Sequence, residues 1–277
     1  MRIDAHQHFW TTQRTDYGWL TPDLGDIYRD FLPPDLEPLL ESAEIGGTIL
    51  VQAAPTVAET EFLLGLAEQV DFIKGVVGWV DFEGSEMAAT LGHLAQSPKF
   101  VGVRPMIQDI PDPEWMLGEA LTPAYEAITA DDLTFDALTL PSQLKPLREL
   151  LSRHPKMRVV IDHCSKPFIR DGIVSGWAED MAALAVDTDA YCKLSGLVTE
   201  AKPDWSVDDL RPYVSHLLDT FGPSRLIWGS DWPVCTLAST YARWLEATDA
   251  LLSELNTEEK SAIMGGNAKE AYRLMDT

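Results

Sequence analysis

The chain is 277 residues long, 45% hydrophobic, and carries 44 Asp plus Glu against 21 Lys plus Arg, a formal charge of −23. That length suits one large domain, α/β barrels included, and the apolar fraction argues against a disordered chain. The acidic balance argues against nucleic acid or an anionic membrane surface as a partner, because both would be repelled. The three cysteines, Cys164, Cys192 and Cys235, show no CxxC spacing, so neither a disulfide framework nor a thiolate zinc site is expected. A reducing compartment follows, and no apolar leader is read behind the basic start, so the expected location is the cytoplasm. No stretch approaches the roughly 20 apolar residues of a membrane span.

Short β-rich runs, bounded by Gly, Pro or polar clusters, alternate with longer amphipathic stretches. Strands are predicted at residues 2–8 (RIDAHQH), 46–53 (GGTILVQA), 73–80 (IKGVVGWV) and 99–106 (KFVGVRPM). Four more follow at 133–140 (LTFDALTL), 158–164 (RVVIDHC), 190–196 (AYCKLSG) and 225–231 (RLIWGSD). The intervening stretches carry helix signals. Thr56 is placed to cap one helix, Pro141 and Ser142 suit the start of another, and Gly222 suits the end of a third. Eight such units predict a parallel sheet closed into a (β/α)8 TIM barrel, an α/β fold in a single domain over residues 1–277. An open doubly wound sheet is the rival, but no Gly-rich phosphate loop follows the first strand. Residues 107–131 are expected as an insert near the barrel mouth.

Catalytic groups of such barrels sit at the C-terminal ends of the strands. There the first strand offers His6 and His8, the fourth Arg104, the sixth His163, the seventh Lys193 and the eighth Asp231. Strand alternation puts Asp4, His6 and His8 on one side. Imidazole and carboxylate ligands from His6, His8, His163 and Asp231 suit zinc or a related ion, with one position open for water. Asp231 can also act as a general base, or simply cap the turn before Pro233. Lys193 is expected at the rim, holding a substrate oxygen or a catalytic carboxylate; a structural ion pair is the alternative. Arg104 can fork two hydrogen bonds to substrate or pair with Asp136 or Asp162. Trp10 and Trp232 are candidates to stack on a sugar-like ring, and core packing explains them equally well. His93, His154 and His216 lie away from the strand ends and read as surface or packing residues.

Taken together, HQHFW, VGVRPMIQD, IDHCSKP, KLSGL and GSDWP resemble the amidohydrolase superfamily. Within it they are similar to the amidohydrolase-related sugar lactonases, the branch of L-fuconolactonase- and L-rhamnonolactonase-like enzymes. The resemblance runs from His6 to the C-terminal GGNAKEAYRL. It implies a (β/α)8 barrel that hydrolyses a cyclic ester, with His6 and His8 as the first-strand metal pair, His163 as the sixth-strand histidine and Asp231 as the eighth-strand base. The fifth strand, LTFDALTL, carries neither lysine nor histidine, so a two-metal centre bridged by a modified lysine is not expected. One divalent ion remains, zinc by ligand type, with dependence on it open.

The implied reaction opens an aldono-1,4- or 1,5-lactone to the hydroxy acid through water activated by Asp231 or the metal, with His163 and the cationic side chains stabilising the oxyanion. A small-molecule lactone is then the partner, and a homo-oligomer remains open. The alternatives are a carboxylated, muconolactone-like substrate, a metal-dependent decarboxylase of the same superfamily, and a catalytically silent binding barrel.

Overall fold

A computed structural model describes residues 1–275. The expected barrel is present. Its strands are β1 (Arg2–Gln7), β2 (Ile45–Val51), β3 (Ile73–Gly78), β4 (Phe100–Val103), β5 (Thr134–Ala137), β6 (Arg158–Ile161), β7 (Tyr191–Leu194) and β8 (Leu226–Trp228). Each pairs in parallel with the next in chain order. The ring closes just past the end of β8, where the Asp231 amide donates to His6 O at 2.8 Å and the His8 amide to Trp232 O at 2.7 Å.

Helices cover the strands from outside: α1 (Pro33–Ser42), α2 (Val57–Ala67), α3 (Met87–Leu94), α4 (Thr122–Ala130) and α5 (Leu144–Arg153). They continue with α6 (Trp177–Asp187), the short α7 (Leu197–Glu200), α8 (Val207–Phe221) and α9 (Tyr241–Leu251). Their inner faces follow from sequence spacing. On α5 the buried residues are Leu144, Leu147, Leu150 and Leu151, a single stripe at helical period. On α8 they are Leu210, Tyr213, Val214, Leu217 and Phe221, and Gly222, with φ +71°, ends the helix. Each buried Leu contributes about 1.5–3 kcal/mol relative to exposure. The segment at 107–131 forms short 3-10 turns at Ile107–Asp109, Trp115–Leu117 and Glu119–Leu121, then α4.

Strand alternation divides each strand between this outer shell and the lumen. On β2, Leu50 packs outward while Ile49 and Val51 join Ile3, Ala5, Val77, Val160 and Ile227 inside. The lower end is plugged by the C-terminal helical segment, through Ala268, Ala271 and Tyr272. Above this apolar layer lies an ionic one. Lys193 Nζ stands 2.8 Å from Asp136 Oδ2 and 2.8 Å from Asp162 Oδ1, and the Tyr272 hydroxyl donates to Asp136 Oδ2 at 2.7 Å. The Arg104 guanidinium closes the set, 3.4 Å from Asp162 Oδ2.

Two expectations are corrected here. Lys193 is not at the rim: as the inward residue of β7, below the strand end, it is fully buried and forms the structural ion pair. Asp4 does not share a side with His6 and His8. Asp4 pairs with Thr48 but Gln7 with Leu50, so three steps along β1 match two along β2. This bulge re-aims the strand. Asp4 turns toward the helix layer, where the Tyr241 hydroxyl of α9 donates to it at 3.0 Å, and the histidines beyond the bulge face the mouth.

Candidate active site

The upper lumen gathers the histidines at and just past the end of β1, the residues after β6 and those after β8. Asp231 Oδ1 is the hub: His8 Nε2 lies at 3.3 Å, His6 Nε2 at 3.8 Å and His163 Nε2 at 3.9 Å. Ligand atoms of His6, His163 and Asp231 all lie within 4.8 Å of one another, and all three residues are buried. His8 stands outside that trio and joins it through Asp231 and an edge contact with the His6 ring, centroids 4.9 Å apart.

The backbone that presents these groups is strained. His163, Cys164, Ser165 and Lys166 are consecutive residues at φ of 51°, 52°, 54° and 50°, and Asp231 has φ 58°. Non-glycine residues are rare in this left-handed region, and a run of four needs external restraint. Restraints are present. The Trp177 indole donates to Cys164 O at 2.7 Å, the Cys164 thiol donates to Lys193 O at 3.2 Å, and Ser165 Oγ meets Thr139 Oγ1 at 2.7 Å. His163 Nδ1 lies 2.8 Å from Ser195 Oγ, which turns Nε2 toward Asp231. Gly196 gives the imidazole room, since a Cβ there would stand 2.6 Å from His163 Nδ1.

Protonation follows from the surroundings. Burial lowers His163 to about 4, against the pull of Asp231 and Asp162. Burial also takes His6 well below the usual imidazole value; Asp162 opposes this and Lys193 adds to it. Both are therefore neutral near pH 7, the form that ligates metals. For Asp231 burial pushes the carboxyl up, but the facing His163, His8 and His6 outweigh it and hold it below the carboxylate range.

These residues fit a divalent ion. His8 Nδ1 must donate to Val51 O at 2.8 Å, because a carbonyl only accepts, which leaves Nε2 to face Asp231 Oδ1. A carboxylate oxygen and a ring nitrogen at 3.3 Å are bridged by a proton or a cation. Two neutral imidazoles and a carboxylate are ligands suited to zinc. One feature opposes the ion: Arg104 Nη1 lies 3.3 Å from His6 Nε2 and donates to the same lone pair.

A cavity of about 230 Å³ opens over the cluster, lined among others by His8, Arg104, His163, Asp231, Trp19 and Lys166. That is below the roughly 300–1,000 Å³ of drug-sized pockets and suits one small ring. A wider depression of about 710 Å³ near Pro33, Gln69 and Lys74 lies at the opposite, N-terminal end of the strands, away from every group above. Trp10 and Trp232 do not line the cavity. Both are buried in an aromatic cluster with Phe31, at ring distances of 5.4 and 5.2 Å, so the packing alternative describes them. The cavity tryptophan is Trp19, in a loop that carries no strand-end signal, and its indole donates to Ala53 O at 2.7 Å. Lys166 is a second cavity residue that strand-end reasoning misses. It follows IDHCS on the strained turn, and among the described residues its ion-pair partner is Glu200, at 4.0 Å.

The Amidohydrolase family profile matches residues 3–274. A curated L-fucono-1,5-lactonase of Burkholderia ambifaria is 44% identical, over 99% of this chain and 96% of that protein. Another L-fucono-1,5-lactonase, of Burkholderia multivorans, is 37% identical over 99% and 96%. A crystal structure of an amidohydrolase from Burkholderia multivorans with bound zinc superposes with a TM-score of 0.93, at 36% identity, covering 99% of this chain and 100% of the other. The chain belongs to the amidohydrolase family, on the branch that holds these sugar lactonases.

Proposed function

We propose that the protein hydrolyses the cyclic ester of a neutral sugar lactone, an aldono-1,5- or 1,4-lactone of the L-fucono or L-rhamnono kind, to the open hydroxy acid. The observation that carries this reading is Asp231: an ionised carboxylate on a strained turn, surrounded by three imidazoles at the floor of a cavity sized for one ring. Its family relatives support the substrate class, since the two Burkholderia proteins above are named for it.

Asp231 accepts a proton from a water as the water oxygen bonds to the lactone carbonyl carbon. Negative charge then collects on the former carbonyl oxygen. Lys166 lines the cavity with only the distant Glu200 as its ion-pair partner among the described residues, and its ammonium is the mobile donor for that oxyanion. Arg104 is held by Asp162 and Gln52 O, so it supplies fixed positive potential. As the bond from carbonyl carbon to ring oxygen breaks, Asp231 returns its proton to the departing alkoxide. Lactone plus water gives hydroxy acid, which ionises and releases one proton. A divalent ion held by His6, His163 and Asp231, with His8 at its edge, would supply Lewis-acid polarisation at the cavity floor.

The neutral substrate follows from charge. The −23 chain gives an anion no attractive field, and the cavity cations are Arg104, which is already paired, and Lys166. The test is a pH-indicator assay on L-fucono-, L-rhamnono- and other aldonolactones, run with and without added Zn²⁺. Saturable acid release, one proton per lactone, is expected; no turnover of any aldonolactone would refute the reading.

A further inference from the structure

Glu59 lies inside the first turn of α2 and is fully buried, a costly place for a carboxylate. Helix geometry does not demand it there, and its partners lie elsewhere. Oε1 and Oε2 accept from the Ala53 amide at 2.9 and 3.1 Å, and Oε2 also accepts from the Ala54 amide at 2.9 Å. Ala53 then uses its own carbonyl to hold the Trp19 indole at 2.7 Å. Both Ala53 and Trp19 line the cavity; Glu59 does not. A second strut runs in parallel. Thr56, whose Oγ1 accepts from the Glu59 amide at 3.1 Å, donates to Asp16 Oδ2 at 2.6 Å, and Asp16 is paired with Arg14. The loop carrying Trp19 is thus moored to the β2–α2 connection at two points, both anchored around Glu59.

We propose that Glu59 is a positioning residue for substrate binding: its carboxylate clamps the Ala53–Ala54 backbone and thereby sets Trp19 as a wall of the lactone cavity. This rests on the proposed lactone reaction for its kinetic consequences, but the clamp itself does not. The groups facing Glu59 are the Tyr17 hydroxyl, which has no hydrogen-bond partner among the described residues, Arg104 across the lumen, and Arg14 with Asp16 in the moored loop. Burial pushes the Glu59 carboxyl up to about 7, with the Ala54 and Ala53 amides, Tyr17 and Arg104 pulling it back. Protonation removes the charge that strengthens both amide bonds and, at Oε1, one arm of the bifurcated Ala53 bond, so the clamp loosens as pH falls through neutrality.

The test combines Glu59→Gln and Trp19→Phe, singly and together. Glu59→Gln loses one acceptor, and KM for the best aldonolactone is expected to rise about fivefold, the equivalent of one hydrogen bond, with kcat within twofold. Wild-type KM should fall as pH rises from 6 to 8, and the Glu59→Gln variant should not show that fall. In the Trp19→Phe background, which lacks the indole N–H, Glu59→Gln should change KM no further. Amide hydrogen exchange at Ala53 and Ala54, corrected for intrinsic rate, should be faster in Glu59→Gln. Additive effects on KM, or unchanged exchange at those amides, would overturn the clamp. Should Glu59→Gln not fold, the wild-type exchange series decides: equal protection of Ala53 and Ala54 at pH 6 and 8 overturns it. If no lactone is turned over, the proposed activity fails, while exchange still judges the clamp.

Discussion

Two polar clusters lie one above the other in the lumen and share a neighbour, His6, yet they are built on opposite principles. In the lower one, Lys193 and Arg104 face Asp136 and Asp162, two cations against two anions. In the upper one, a single carboxylate, Asp231, faces three imidazoles. Asp136 and Lys193 of the lower cluster sit on regular strand, with Arg104 and Asp162 at the residues just past β4 and β6; the upper cluster hangs from left-handed backbone at His163 and Asp231. A buried charge set whose ions are paired with one another chiefly holds shape, whereas one left unpaired is poised to take up a cation, a proton or a substrate. His6 joins the two: Lys193 Nζ lies 3.2 Å from its Nδ1 while its Nε2 faces Asp231, so the structural layer orients a ring of the reactive one.

That contrast can be broken by single substitutions. The largest effect should come from Lys193→Met, which leaves Asp136 and Asp162 buried without their cation; a loss of about 3–5 kcal/mol, or a Tm lower by about 10 °C, is expected in thermal unfolding. A stable variant would mean that the lower layer is not what holds the lumen. His163→Asn should leave Tm within a few degrees but lower kcat by about a hundredfold, with KM little changed. Because burial holds His163 at about 4 and the facing imidazoles hold Asp231 below the carboxylate range, kcat/KM should be level above about pH 5 on the acid side and fall as pH drops through 4, once the clamp's own titration is removed by Glu59→Gln. An acid limb near pH 6.5 in the Glu59→Gln variant, at the ordinary imidazole value, would contradict those neutral imidazoles.

Smaller effects sharpen the same comparison. Zn²⁺ at a hundred times its dissociation constant should raise stability by about 2.7 kcal/mol, read as a Tm increase that Asp231→Asn abolishes. The same increase in Asp231→Asn would place the ion elsewhere. Lys166→Ala should lower kcat about tenfold with an unchanged Tm, since among the described residues the ion-pair partner its ammonium loses is the distant Glu200. No change in kcat would remove it from the reaction.

Much of this was legible from order and period. The strand runs, the helix stripes and the positions of His6, His163 and Asp231 at strand ends lead from sequence to barrel to cluster. What was not legible depends on register and depth. Alternation along β1 placed Asp4 with the histidines because a bulge leaves no mark in RIDAHQH, and it placed Lys193 at the rim because the strand end could not be fixed to one residue. The tryptophan that faces the cavity sits in TDYGWL, a loop with neither strand nor helix period, while Trp10 and Trp232, nearer the strand ends, fold into one another's company around Phe31. Lys166 takes its place from the left-handed turn, which aims it into the mouth, and that turn has no glycine to announce it.

Asp231, as the base over which a lactone opens, is the centre of the proposed chemistry. The direct measurement is kcat for the best aldonolactone with Asp231→Asn, whose amide keeps the shape but cannot take a proton, against the wild type at equal folded concentration. A fall of about a thousandfold or more with an unchanged circular dichroism spectrum is predicted. A variant that still turns over within about tenfold of the wild type would contradict it.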